Sequence, residues 1–169
     1  MRSFSLILLV LALAVCIPSA FAAGTEADCP VTQAPTQPFV PPKGYHPDPY
    51  ADFALGTLGL WANVYTHWKL NINQNKIPFF SEDYIFGKSD FNPRLAVVAR
   101  RLDSPAPLVW SDWVNGGGPP YSPPGDPNDH GFMVTGLPIP TVGCWEITAH
   151  YTPARDKSYT LTYMVWVGQ

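Results

Sequence analysis

The sequence predicts an all-β chain, folded as an antiparallel sandwich or barrel. Three observations predict it. Twenty prolines and 13 glycines in 169 residues punctuate the chain too often for a helical protein. Several segments alternate apolar and polar residues with period two, the pattern of strands with one buried face. After residue 22 no stretch carries a convincing helical period.

The first 22 residues read as a secretory signal peptide. Arg2 gives a positive start, residues 6–15 are an unbroken apolar run, and Ala20-Phe21-Ala22 has the small-x-small pattern of a cleavage site. The run is too short to span a membrane. Leu13-Ala14-Val15-Cys16 resembles a lipobox, but Val15 is not small, so cleavage after Ala22 is favoured over lipid anchoring at Cys16. Cleavage leaves 147 residues with nine basic and 13 acidic side chains. That is one domain by length. A net charge of −4 argues against nucleic acid and against docking on anionic lipid. The expected location is the periplasm or the extracellular space, with no membrane-spanning segment once the signal is gone.

Residues 23–50 form a leader with Pro30, Pro35, Pro38, Pro41, Pro42, Pro47 and Pro49. Such a segment favours extended backbone and builds no core alone. It is a tether or a strap over the domain of residues 51–169.

Within residues 58–72, Leu60, Ala62, Val64, Thr66, Trp68, Leu70 and Ile72 share one parity. Trp61, Asn63, Tyr65 and His67 share the other. One long strand and a hairpin folded near Thr66 both fit. Residues 77–80 and 84–86 read as short aromatic pieces bounded by Pro78, Ser81 and Gly87. Residues 94–102 are apolar on both parities in the middle, as in a central strand. Residues 108–114 are a shorter candidate with two tryptophans. Residues 115–130 hold three consecutive glycines and five prolines and read as a long loop. Strand resumes at 132–137. In 143–151, Trp145, Ile147, Ala149 and Tyr151 face inward. A six-residue turn leads to 158–167, with Tyr159, Leu161, Tyr163, Val165 and Val167 inward, making an antiparallel hairpin.

Two cysteines remain after cleavage, Cys29 and Cys144, and in an oxidising compartment an even pair reads as one disulfide. Two unpaired thiols are the alternative. Cys144 lies on the polar parity of its strand, beside Glu146 and His150, where an exposed thiol is a liability. A leader crossing that face and bonded through Cys29 removes the difficulty.

Residues 140–148, Pro-Thr-Val-Gly-Cys-Trp-Glu-Ile-Thr, followed by Tyr163-Met164-Val165-Trp166-Val167, resemble the C-terminus of an uncharacterised group of exported bacterial proteins. Residues 99–103 with Ala106-Pro107, and Cys29-Pro30-Val31-Thr32, resemble the same group. The resemblance implies an antiparallel immunoglobulin-like β-sandwich preceded by a Pro-rich extended leader, and it implies export. It carries over no active-site residue.

No catalytic or cofactor-binding residue stands out. G-x-S-x-G and H-E-x-x-H are absent from the sequence. Cys144, His150 and Met164, with His130, suggest copper. Cys144 and His150, however, lie about 20 Å apart along one strand and cannot share an ion. Asp126, Asn128, Asp129 and His130 offer calcium-type ligands, but they are also ordinary turn residues at no known spacing. No metal site is assigned.

Trp110, Trp113 and Tyr121 flank or occupy the long loop and are the candidate ligand-binding residues, suited to a protein or carbohydrate of the cell surface. Alternatively these aromatics, like the outward Trp61, Tyr65 and Trp166, cover the rim of the core or sit under the leader. The expected function is a non-catalytic binding or accessory module of the cell envelope. A purely structural domain and a hydrolase with an unrecognised site are the alternatives.

Overall fold

Two long strands, the pair that the alternation marks most clearly, organise the chain in a computed structural model. It describes residues 24–42, 45, 48–70, 75–85, 89, 92–111, 113–117, 130–154 and 156–169, with residue 130 by its backbone. The expected signal peptide and Cys16 lie outside the described residues. Strand β9 (Gly143–Ala154) and strand β10 (Lys157–Gly168) pair antiparallel from Tyr151↔Tyr159 to Gly143↔Val167. Their inward parities are those expected, and Trp145, Ile147, Tyr163, Val165 and Val167 are buried. Both strands run further than expected, so the six-residue turn shrinks to the two residues between Ala154 and Lys157.

Eight further strands complete two five-stranded, mostly antiparallel sheets that do not close into a barrel. They are β1 (Phe53–Thr57), β2 (Leu60–Val64), β3 (His67–Lys69), β4 (Asn75–Ile85), β5 (Leu95–Arg101), β6 (Val109–Trp110), β7 (Val114–Gly117) and β8 (His130–Leu137). One sheet has the order β1-β2-β4-β8-β7 and the other β3-β10-β9-β5-β6. Only β3 on β10 is parallel. Leu60, Val64, Ile77, Phe79, Met133 and Leu137 of the first sheet share one core with the inward residues of β5, β9 and β10. The all-β class therefore holds, and no α-helix occurs among the described residues.

Four segments depart from expectation, each for a physical reason. Residues 58–72 are neither one strand nor a hairpin. The chain pairs as β2 in the first sheet, bends at Tyr65-Thr66, and pairs again as β3 in the second. The Asp52 carboxylate holds the bend by accepting from the Thr66 backbone N–H at 2.7 Å and from its hydroxyl at 2.6 Å.

The two aromatic pieces around residue 80 are a single strand, β4. Pro78 is tolerated because the β2 ladder stops at Ala62↔Phe79, and an irregularity between Phe80 and Ile85 turns Tyr84 into the core. Strand β5 is central in its sheet but buries one face only, since Ala96 and Arg100 are exposed. Residues 108–114 split between β6 and β7, which lie in different sheets, and Asn115-Gly116-Gly117 continue β7 instead of beginning a loop. The remainder of that expected loop, 118–129, lies outside the described residues.

Gly143 opens β9 at φ +143°, a left-handed value that side chains avoid. A Cβ there would sit 2.8 Å from the Arg101 guanidinium and 2.9 Å from the Asp103 carboxylate. Glycine is thus required twice, by dihedral and by the ion pair against it.

Trp145→Ala is expected to cost about 3–5 kcal/mol, a core deletion. Glu146→Ala, which removes only the Arg100 pair at 2.9 Å, should cost under about 1 kcal/mol. Urea melts decide it, and equal losses would contradict the parity of β9.

Candidate functional site

The leader meets the domain through the Cys29–Cys144 disulfide, with an S–S distance of 2.00 Å across 115 positions of chain. Cys144 is 2% exposed despite its polar parity, because the leader covers it. Thr32 then borders β10. Its N–H donates to the Met164 carbonyl at 3.1 Å, and its hydroxyl accepts from the Met164 N–H at 2.8 Å. Further along, Phe39 and Tyr45 pack on Trp61, with ring centroids 5.6 and 6.0 Å apart, and Tyr45 also meets Phe80 edge-on at 4.6 Å. Trp61 points away from the main core, as its parity requires, yet it is fully buried beneath these rings. Burial pushes the Tyr45 hydroxyl up to about 12.

A cleft of about 200 Å³ opens where β2 leaves the first sheet. The two β2–β4 pairs end at Ala62↔Phe79, while β4 continues along β8 to Asn75↔Leu137. The diverging strands leave a wedge. Asn63 lines one wall, Asn75 and Ile77 the other, and Tyr65 and Trp68 come from the crossover. Tyr163 reaches it from β10. The aromatic walls are fixed in place. The Trp68 indole N–H donates to the Tyr65 carbonyl at 2.8 Å, and the Tyr65 hydroxyl donates to Asp48. His67 is held between the Thr66 hydroxyl at 2.9 Å and Glu26 at 3.1 Å.

A second cleft, also about 200 Å³, lies at the opposite end of β4, between Asp83, Ser89, Arg94 and Tyr151. Its polar groups are largely committed. Asp83 accepts from Lys157 at 2.8 Å and from Tyr159 at 2.7 Å, and Arg94 donates to the Pro153 carbonyl at 3.1 Å.

Among the described residues, the carboxylates that shift all shift downward. The Thr66 hydroxyl and N–H lower Asp52, and Lys157 and Tyr159 lower Asp83. Burial alone would raise Asp103, but the Arg101 hydrogen bonds and charge outweigh it and hold it low. Each stays ionised near neutral pH. A general acid needs the reverse.

Of the residues singled out by sequence, Cys29 and Cys144 are joined. The bond leaves Cys144 no thiolate for copper. Trp110 stands 57% exposed on β6, opposite Val98. Trp113 is half-buried just before β7, and its carbonyl accepts from the Thr135 hydroxyl at 2.6 Å. Tyr121, Asp126, Asn128 and Asp129 lie outside the described residues, as does the His130 side chain. No group of three or more metal-ligating side chains gathers among the described residues. No helix among them is long and apolar enough to cross a membrane.

The wedge itself was not singled out by sequence. Asn63, inside an otherwise apolar run and three residues ahead of the bend, was the available signal. Comparison with family models, curated proteins and solved structures finds no match for this chain.

Two outcomes are expected. Because the folded pKa values of Asp52, Asp83 and Asp103 lie below the ordinary 3.8, their stabilisation is complete above that value and lost as pH falls through the folded ones. The urea midpoint should fall steeply below about pH 4, and less steeply in Asp103→Asn; equal slopes would remove the Arg101 pair from the account. Separately, alkylation of the native protein should add no mass until a reductant is present, and then two labels. Labelling without reductant would contradict the disulfide.

Proposed function

We propose that the chain is an exported, immunoglobulin-like binding module of the cell envelope, without catalytic activity. The observation that carries this reading is the strand order. An immunoglobulin variable-type domain sets strands A, B, E and D in one sheet and extends G, F and C of the other with C′ and C″, the last of which has no counterpart among the described strands. Taking β2 as A, β4 as B, β8 as E and β7 as D reproduces the first sheet. Taking β10 as G, β9 as F, β5 as C and β6 as C′ reproduces the second. β1 and the parallel β3 are additions at the edges. Two antibody hallmarks are displaced. The disulfide ties β9 to the leader instead of to β4, and the buried Trp145 sits on β9 instead of β5.

Export is supported by the features of residues 1–22 and by a disulfide, which persists in oxidising compartments. The resemblance of residues 140–148 to exported bacterial proteins agrees with both. A periplasmic or extracellular location is the one these features support. The non-catalytic part is supported by the sequence, which carries neither G-x-S-x-G nor H-E-x-x-H. Binding is supported by a rigid two-sheet frame with preformed clefts at its edge and end.

The test is co-sedimentation of the oxidised mature protein with isolated envelope fragments, alongside turnover on glycosidase, esterase and peptidase substrates. Saturable sedimentation without turnover is expected. Full recovery in the supernatant overturns the binding reading, and turnover overturns its non-catalytic part.

A further inference from the structure

We infer that the wedge between β2 and β4 binds a single pyranose ring of a cell-surface glycan. The inference rests on the binding-module reading and names the ligand class of one site.

The Asn75 side-chain nitrogen is buried without a partner. Tyr163, 1% exposed, packs its ring in the shared core and reaches the cleft from β10. Both groups line the same cleft. Buried polar groups without partners are costly, so something polar belongs there. An amide and a phenol each donate and accept. A sugar hydroxyl does both as well, so one ring can accept from the Asn75 amide nitrogen and exchange hydrogen bonds with the phenols of the lining.

Size and shape narrow the class. A cavity of about 150 Å³ admits one six-membered ring, and this cleft holds about 200 Å³. The cleft is of the size of one ring, with the rest of a chain left in solvent. A pyranose also presents apolar C–H faces, which suit the rings of Tyr65 and Trp68. Those two walls are already fixed by their own hydrogen bonds, so little side-chain freedom is lost on binding. The remaining cation of the lining, Lys76, is exposed at the rim. The cleft at the Asp83 end is a poorer candidate, because its carboxylate and guanidinium already have partners.

Tyr163→Phe separates a ligand role from a structural one. It removes only the hydroxyl and keeps the ring that packs in the core. The variant should melt as a folded, cooperative protein close to the parent, since the core volume is nearly unchanged. The probes are methyl glycosides of glucose, galactose, mannose and N-acetylglucosamine, titrated against tryptophan fluorescence, which Trp68 reports. At least one should give a saturable change with a millimolar Kd. Tyr163→Phe and Asn75→Ala should each weaken it at least fivefold, and Leu108→Ala, remote on the β6 side, should leave it unchanged.

An oligosaccharide ending in the same sugar should bind as well as the glycoside, marking a chain end as the source. Binding of the free sugar alone would make the source a soluble monosaccharide and overturn the glycan assignment. No saturable response to any probe, or none altered by Tyr163→Phe, overturns the site. Loss on Trp110→Ala instead would move the site to β6 and also overturn it. If envelope fragments still retain Tyr163→Phe as they retain the parent, the binding-module reading stands and the wedge assignment alone fails.

Discussion

The Cys29–Cys144 bond fixes one end of a strap that contains no strand among its described residues. Holding each residue in one backbone conformation costs about 1–2 kcal/mol. A segment without ladder hydrogen bonds recovers little of that locally. The strap's return comes from burying Trp61 and Phe80 on the outer face of the first sheet. An aromatic side chain buries roughly 150–250 Å², or about 4–6 kcal/mol at 25 cal/mol per Å². That is not enough to order a dozen residues unaided. The disulfide lowers the cost by closing a loop of 115 positions in the unfolded chain, about 5 kcal/mol in the chain-entropy account. The prolines lower it again by restricting the unfolded leader. Cysteine, proline and outward tryptophan are therefore parts of one device.

The same leader end meets the sheet switch. Glu26, in the short 3-10 turn Glu26–Asp28, pairs with His67 at the start of β3. Asp52, just ahead of β1, pins Thr66 at the bend. A strand that changes sheets must abandon its first partner, and here it leaves β4 beside Pro78, which has no N–H to lose. The wedge is thus a consequence of topology. Its walls need no mobile loop to form, because each belongs to a paired strand or a hydrogen-bonded bend.

Legibility in the sequence followed the strength of the local alternation. For β9 and β10 the pattern gave the correct inward set, residue by residue, and the parity of Cys144 pointed to a cover over its polar face. The sheet switch left no such mark. Leu60, Val64 and Trp68 share a parity and all pack on the common core, so the period runs unbroken through a change of partner. The irregularity in β4 hid differently. It reverses parity between Phe79 and Tyr84, and so it imitates two short strands. In β7, Gly116 and Gly117 have no side chain to alternate; their strand exists through pairing with Met133 and Phe132 alone. Period two reports which face is buried and is silent on which neighbour is hydrogen-bonded.

That limit bears on how binding residues are sought. Aromatics near a glycine- and proline-rich stretch draw attention because their surroundings are unusual along the chain. Trp110 and Trp113 stand close in sequence, yet one belongs to β6 and the other leads into β7 of the opposite sheet. The residues of the wedge are spread from Asn63 to Tyr163 and look ordinary one by one. What distinguishes them is an arrangement that exists only in the fold: the buried Asn75 amide nitrogen without a partner lines an open cleft, whereas the Tyr45 hydroxyl and the Trp61 indole N–H lie where the leader packs on the first sheet. In the inner core such groups would be selected against as pure cost. At a gap that opens to solvent the cost is repaid whenever a hydroxyl-bearing partner enters. The arrangement is therefore intelligible as a site in a way that it is not as packing.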